Sequence, residues 1–458
     1  MNQKLSFSSY IAVGSMLFGL FFGAGNLIFP VLMGQQSGSQ VYIASMGFII
    51  TAVGLPFLGV VAMGFSQSSG LFELASRVHP YYSYGFTVLL YLTIGPFFAL
   101  PRTATVSYEI GLAPYIPDNY RAFGLALFTL LFFGGALFFS LRPNKILTWV
   151  GKILNPLFLV FLSFLIIASL VFPMGSTAMA PVHEAYANAS FFKGFTEGYN
   201  TMDALAALAF GIIVVQNIKA LGVTDPKGIA LGTLKAGILS VILMSIIYLF
   251  LALIGSTSTS IMAPAPNGGI ALAKIANHYF GAFGSILLAA IVTLACLKTA
   301  IGLITACSET FQQMFPNTLS YKAYVILFTA FSCLVANIGL TQLIALSIPV
   351  LMFIYPLAIG LIILALISPI FKGRRCVYLS ATLFTMFVSI ADGLNAMPEF
   401  IRNTSWADAI INFYKNCVPF FNLGMGWVIP LLLGTVTGII ISHFLPEKSS
   451  DIEIQKIA

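Results

Sequence analysis

The sequence predicts an all-α integral membrane protein, a bundle of about 12 transmembrane helices, and three observations carry that reading. Of 458 residues, 59% are hydrophobic and only 8% charged, too few to cover a water-exposed surface. Apolar runs of about 20 residues, each enough for ~30 Å of hydrocarbon, recur from end to end. These runs are continuous and do not alternate over ~10 residues, which excludes a membrane β-barrel.

In chain order the spans fall near residues 8 to 33, 41 to 65, 80 to 100, 122 to 141, 146 to 173, 194 to 217, 229 to 254, 283 to 307, 322 to 339, 342 to 368, 377 to 394 and 424 to 445. The first follows Lys4 and contains Gly23-Ala24-Gly25, a pattern that also suits a signal-peptide cleavage site. It is read as a span because the apolar run continues through Leu27-Ile28-Phe29-Pro30, too long for a signal peptide. The stretch from Gly255 to Gly284, with Ser/Thr at 256 to 260 and Pro264-Ala265-Pro266, is long enough to fold over the bundle as a lid. The soluble connections are too short for a separate domain, and the tail at 446–458 is polar.

Two spans carry unusual interruptions. In the first, Gly23-Ala24-Gly25-Asn26 interrupts the apolar run, and in the sixth the sequence is Glu197-Gly198-Tyr199-Asn200-Thr201-Met202-Asp203. Lipid offers no hydrogen-bond partner, so backbone groups freed there need protein, water in a cavity, or a bound solute. At the first break Gly19, Gly23 and Gly25 allow close backbone approach, and Asn26 adds an amide. A half-helix starting at Leu27 presents N–H groups suited to a carboxylate, and the carbonyls of Gly19 to Gly23 suit a cation or an ammonium group. At the second break Tyr199, Asn200, Thr201 and Asp203 are too polar for lipid and are expected to face inward, although residues 194 to 203 could instead lie in the headgroup layer. The small apolar residues Ala204 to Ala209 that follow leave room for an aliphatic side chain. Together the breaks outline a site for a small zwitterion, the alternative being glycine-mediated helix packing.

If spans one to five (residues 1–173) and six to ten (190–368) form two halves, the odd count inserts the second upside down. The expected architecture is a five-plus-five inverted repeat with helices 1 and 6 broken, and with peripheral helices 11 and 12 at 372–445. Positive charge is retained on the cytoplasmic side. With the N-terminus inside, Lys4, Arg77, Arg142, Lys145, Lys152, Lys219, Lys227, Lys322, Lys372, Arg374, Arg375, Lys448 and Lys456 are inner. Arg102, Arg121, Lys193, Lys274, Arg402 and Lys415 are outer, so both termini are expected in the cytoplasm. The net charge of +7 then reflects topology and needs no nucleic-acid partner.

Lys298 stands out inside Ile291-Val292-Thr293-Leu294-Ala295-Cys296-Leu297-Lys298-Thr299-Ala300-Ile301. It is ~16 Å of helix from Glu309, and an amine at that depth costs ~2.5 to 3.5 kcal/mol on insertion scales. It is expected to face a cavity, as a proton carrier or as an amine bound to backbone carbonyls. In Ile94-Gly95-Pro96-Phe97-Phe98-Ala99-Leu100-Pro101-Arg102-Thr103, the prolines and Arg102 read either as an outer vestibule or as a kinked helix end. His79, His183, His278 and His443 lie near interfaces or loops. Cys296, Cys307, Cys333, Cys376 and Cys417 form no CxxC pair and read as small apolar fillers, so they point to no metal site.

No P-loop, HExxH or GxSxG pattern is present, which speaks against an ATP-driven pump and a membrane-embedded hydrolase. A channel is the other alternative, and a pair of broken helices in a single chain favours a carrier that rocks around a midplane site.

Gly19-Leu20-Phe21-Phe22-Gly23-Ala24-Gly25-Asn26-Leu27-Ile28-Phe29-Pro30, Gly95-Pro96 to Pro101-Arg102-Thr103, Glu197 to Leu205 and Ala295 to Leu303 together resemble the bacterial branched-chain amino acid carrier family. That family is a branch of the amino acid/polyamine/organocation superfamily. The resemblance implies the five-plus-five fold in the bacterial cytoplasmic membrane, import of leucine, isoleucine and valine, generally with sodium, and no organic cofactor. A monomer suffices for such a carrier. It implies substrate contacts at Gly23, Ala24, Gly25, Asn26, Leu27, Tyr199, Asn200, Thr201, Met202 and Asp203. It also implies a sodium site between the carbonyls of Gly19 and Phe22 and two hydroxyl residues of the eighth helix, where this chain has Lys298 and Thr299. A lysine ammonium can take the sodium's place, which leaves coupling to sodium or protons, or exchange, as the alternatives.

Overall fold

A computed structural model describes residues 6–23, 25–66, 68, 70–141, 146–223 and 225–444. Helix 1 is split into α1 (Phe7–Phe21) and α2 (Gly25–Ser37). Helix 2 runs as α3 (Val41–Ile49), a π-turn (Ile50–Gly54) and α4 (Leu55–Ser66). A short α5 (Leu71–Ser76) leads into helix 3, built from α6 (Pro80–Leu92), a second π-turn (Thr93–Phe97) and α7 (Ala99–Gly111). Helices 4 and 5 are α8 (Arg121–Ser140) and α9 (Ile146–Val171). After α10 (Glu184–Ala187), helix 6 is split into α11 (Ser190–Glu197) and α12 (Asp203–Ala220). Helix 7 is α13 (Pro226–Ser258), and α14 (Gly268–Met314), bent at Gly281, holds a short arm followed by helix 8. Helices 9, 10 and 11 are α15 (Tyr321–Ala336), α16 (Leu340–Ile367) and α17 (Arg375–Asn395). The short helices α18 (Glu399–Arg402) and α19 (Ser405–Cys417) precede helix 12, which is α20 (Val428–Phe444). Among the described residues 8 helices are long and apolar enough to cross a membrane; with the shorter apolar helices they make about 12 crossings.

Sequence sets the local starts. Ser6, Asp225, Asn267 and Ser320 each accept a backbone N–H of the first turn they precede, as short polar caps do. Two boundaries depart from the sequence reading. Helix 3 does not end near residue 100, because the Gly95-Pro96 kink is absorbed as a π-turn and the helix resumes to Gly111. The expected 255 to 284 lid is largely helical, with α13 reaching Ser258 and α14 beginning at Gly268.

The packing exchanges partners between the two halves. Helix 1 lies along helix 7, and helix 6 lies along helix 2. Each crossing uses glycines from both helices. A Cβ on Gly34 would run into the backbone of Ala252, and one on Gly255 into that of Val31. Likewise Gly47 meets the Phe191 carbonyl and Gly194 the backbone of Ala44. Small residues let membrane helices pack backbone to backbone where no hydrophobic gain drives them together. Helices 3 and 8 pair with each other, as do 4 and 9, which is the pattern of a pseudo-two-fold relation between inverted halves.

Candidate functional site

Both breaks unwind, and a side chain of the break binds a backbone group at each. In helix 1 the backbone turns extended at Phe22 (φ −75°, ψ 100°). The Gly23 N–H released there donates to Asn26 Oδ1 at 2.9 Å. The helix resumes at Gly25, two residues earlier than the sequence reading, so Asn26 sits in the first turn of α2 and its side chain caps the gap. In helix 6 a 3₁₀ turn spans Gly198–Thr201, and Met202 adopts a left-handed conformation (φ 61°) before α12 begins at Asp203. Thr201 Oγ1 closes that turn on the Gly198 carbonyl at 2.9 Å.

The two breaks meet. Asn26 Nδ2 donates to Asp203 Oδ2 at 2.5 Å and also to the Tyr248 hydroxyl of α13. A Cβ on Gly25 would lie 3.7 Å from the Cα of Thr201, so the two backbones all but touch. Arg102 of helix 3 reaches into the same junction, where its Nη1 donates to the Asn200 carbonyl at 2.5 Å and its Nη2 to Ser347 Oγ at 3.4 Å. The guanidinium lies 4.9 Å from the centre of the Phe29 ring. Arg102 is 3% exposed, and its Nε has no partner.

Beside this junction lies a cavity of about 230 Å³. That is below the ~300 Å³ at which sites for drug-sized ligands begin, so it is sized for a small solute. One wall is polar, with Gly23, Gly25, Asn26, Thr201 and Asp203 from the breaks, Arg102 and Thr103 from helix 3, and Lys298 and Thr299 from helix 8. The rest of the lining includes the apolar Phe21, Ile94, Ala206, Phe210 and Leu303. Past Phe210, Ile213 and Ala306 the cavity joins a second one of about 440 Å³, lined by Glu73, Gln216, Glu309 and Gln313. The route therefore runs toward the face that carries α5 and the end of α14. Toward the opposite face hydrogen bonds tie the segments to one another. Gln35 binds Ser258 Oγ at 2.9 Å and the Ala265 N–H at 3.0 Å, and Asn267 Nδ2 donates to Thr341 Oγ1 at 3.0 Å.

Of the residues singled out in the sequence, Gly19, Gly23, Gly25, Asn26, Thr201, Met202, Asp203, Lys298 and Thr299 line this one cavity. Ala24 lies outside the described residues. Four others lie off the cavity wall. Leu27 is buried in the core, because the early helix restart turns it away from the cavity. The Phe22 ring stacks on Phe18, 4.9 Å between centres. Tyr199 lies behind the link, stacked on Tyr355 at 4.2 Å. Asn200 sends its side chain back to Glu197 Oε2 at 2.9 Å and offers the site only its carbonyl, to Arg102.

Three residues were missed or misplaced. Arg102 was assigned to an outer loop, yet it sits at the centre of the junction. The signal was the polar run Arg102, Thr103, Thr105 and Ser107, all buried on the continuing helix. Tyr248 and Tyr355 lie in uniformly apolar runs that mark no position.

The broken-helix pair, the cavity at their junction and the exchanged packing define a secondary transporter of the inverted-repeat class. Solved structures of that fold superpose across nearly the whole chain. The inward-facing form of Mhp1 does so with a TM-score of 0.59 at 14% identity, covering 98% of this chain and 94% of its own. The Eremococcus coleocola manganese transporter gives 0.58 at 13% identity, covering 96% and 98%.

Residues 6–445 match the family described as branched-chain amino acid transport protein, and the chain belongs to that family. It is 48% identical over 433 residues to the branched-chain amino acid permease BrnQ of Lactobacillus delbrueckii subsp. lactis, covering 94% of this chain and 96% of that one. It is 44% identical to BrnQ of Bacillus subtilis, covering 98% and 100%, and 39% identical to BrnQ of Escherichia coli, covering 96% and 97%.

Proposed function

We propose that the protein is a secondary active transporter that imports leucine, isoleucine and valine by alternating access, coupled to a cation. The observation that carries this reading is a small cavity lined by both polar and apolar side chains, placed where two unwound helices meet. The polar wall sorts the ends of an amino acid. Asp203 and the carbonyls of the helix 1 break attract the ammonium group; the N–H groups at the start of α2, with Arg102, attract the carboxylate. Phe21, Ile94, Ala206, Phe210 and Leu303 take the aliphatic side chain. Relatives named branched-chain amino acid permeases support the same substrates.

The rest of the reading follows from charge and repeat. Residues 1–173 and 190–368 act as the two inverted halves and 372–445 as peripheral helices, in one membrane domain acting as a monomer. The positive loops support cytoplasmic termini, and in that orientation the second cavity lies on the cytoplasmic side. The coupling cation belongs at Gly19, Phe22, Lys298 and Thr299. Lys298 and Thr299 share the cavity wall with Gly19, which supports an ammonium group acting there in place of, or alternately with, a sodium ion.

Reconstitution of the full chain in proteoliposomes tests this. Labelled leucine is expected to accumulate against unlabelled internal leucine, and absence of such counterflow with all three substrates overturns the carrier reading. Uptake is then measured under separate sodium and proton gradients for the wild type and Lys298→Thr. A steep sodium dependence that Lys298→Thr leaves unchanged removes Lys298 from the ion site.

A further inference from the structure

Behind the unwound segment of helix 6, away from the cavity, lies a second buried polar cluster. Asp392 of α17 is 2% exposed, and its Oδ2 has no hydrogen-bond partner. The Tyr199 hydroxyl and Trp427 Nε1 are also buried without partners. Trp427 and Asp392 are both neighbours of the Tyr199 hydroxyl. Three polar groups from three segments thus converge with their bonding capacity unspent.

The packing explains why they are brought together. A Cβ on Gly393 would press within 3.2 Å of the Pro349 carbonyl, so α17 hugs α16 at the level of Asp392. A Cβ on Gly426 would lie 3.2 Å from Val388, one turn before Asp392, and one on Gly424 would lie 2.9 Å from Thr196 of α11. The turn before helix 12 is therefore wedged between helices 6, 10 and 11. It bends there through left-handed residues at Phe420 (φ 64°) and Gly424 (φ 69°).

We infer that Asp392 is a proton-binding site, distinct from the substrate cavity, whose occupancy is read by the unwound segment through Tyr199. An ionised carboxylate with an oxygen lacking any donor is costly in a water-free interior. A protonated carboxyl supplies its own O–H, and the neighbouring Tyr199 hydroxyl is a buried group with no partner of its own. The other titratable groups on the packed elements are few. Helix 10 brings Tyr355, α19 brings Asp408, Tyr414, Lys415 and Cys417, and α11 brings Lys193 and Glu197, which pair with each other at 2.6 Å. Helix 12 brings only His443, at its far end, and the turn from 418 to 427 brings none. Tyr199 stacks on Tyr355, whose hydroxyl neighbours Thr201 and Ala204, so a change at Asp392 bears directly on the residues that flank Asp203.

This inference rests on the carrier reading, and the experiment separates the two. Full-length wild type, Asp392→Asn, Asp392→Glu and Tyr199→Phe are reconstituted, and leucine counterflow is measured across acid to neutral pH. Proton uptake or release on leucine addition is followed with a pH dye in weakly buffered detergent. Asp392→Asn is expected to keep counterflow while losing its pH dependence and the proton signal, and Asp392→Glu to restore both. Tyr199→Phe is expected to keep a proton signal but weaken its dependence on leucine. A wild type without pH dependence, or an Asp392→Asn profile matching the wild type, overturns the inference even where counterflow persists. Loss of counterflow in the wild type itself overturns the carrier reading instead. If Asp392→Asn fails to fold, Asp392→Ala takes its place: a pH profile and proton signal matching the wild type overturn the site, and their loss with counterflow retained supports it.

Discussion

Asn26 and Asp203, 177 positions apart in sequence, are joined at 2.5 Å, so one hydrogen bond ties the break in helix 1 to the break in helix 6. The same amide group reaches Tyr248, and its oxygen holds the Gly23 N–H. Asn26 thus spends its side chain on three elements at once, and any rearrangement of one break is felt by the other.

Replacing Asp203 by Asn keeps the shape and removes the charge. A charge-assisted hydrogen bond is worth about 1.5 to 3 kcal/mol, or ~10 to 100-fold in affinity. Asp203→Asn is expected to weaken leucine binding by that factor while the protein stays folded, as checked by equilibrium binding on purified protein. Affinity equal to the wild type would mean that the ammonium group is held elsewhere.

Arg102 has no rigid substitute. Its planar fork serves the Asn200 carbonyl and Ser347 while its face covers Phe29. Arg102→Lys keeps the charge but loses the fork, at a cost of about 1 to 3 kcal/mol per unsatisfied buried group. Both thermal stability in detergent and leucine uptake are expected to fall. A variant that transports normally would show that the Asn200 carbonyl needs no donor.

The glycine crossings predict a sharp contrast. Gly34→Ala, Gly255→Ala, Gly47→Ala and Gly194→Ala each drive a methyl into facing backbone, which cannot give way as a side-chain tip can. Overpacking costs typically ~1 to 3 kcal/mol, so each is expected to lower folded yield. Gly85→Ala and Gly134→Ala meet nothing within 4 Å and are expected to be neutral. Size-exclusion yields of the six variants test the point side by side.

On the proposed reading, the apolar lining sets side-chain size. Ala206 and Phe210 lie on successive turns of α12, facing the cavity. Ala206→Leu fills space meant for the substrate and is expected to discriminate against leucine and isoleucine relative to valine. One methylene in an apolar pocket is worth ~1 to 3 kcal/mol, so competition assays should show a ~10 to 200-fold shift in preference. An unchanged ranking would place the side chain elsewhere in the cavity.

Much of this was legible in the sequence because it follows from local rules. Continuous apolar length marks the spans, and polar or glycine-rich interruptions mark the breaks, since lipid penalises both without regard to distant contacts. Lys298 could be placed in a cavity wall for the same reason. Reading Gly95-Pro96 as the end of a helix failed because a π-turn can absorb a kink when neighbouring helices hold both sides, and that support is not a local property. With the helix cut short, Arg102 was set outside.

The sequence by itself determined that the chain crosses the membrane in helices and that two of them cannot be continuous, because hydrocarbon acts on each segment separately. Which side chains meet was decided only by the tertiary structure. The register of helix 1 on helix 7 and of helix 6 on helix 2 brings Asn26 to Asp203, turns Tyr199 away from the cavity, and gathers Asp392 and Trp427 behind it. Those encounters depend on backbone-to-backbone contacts between residues far apart in the chain, which no window of sequence contains.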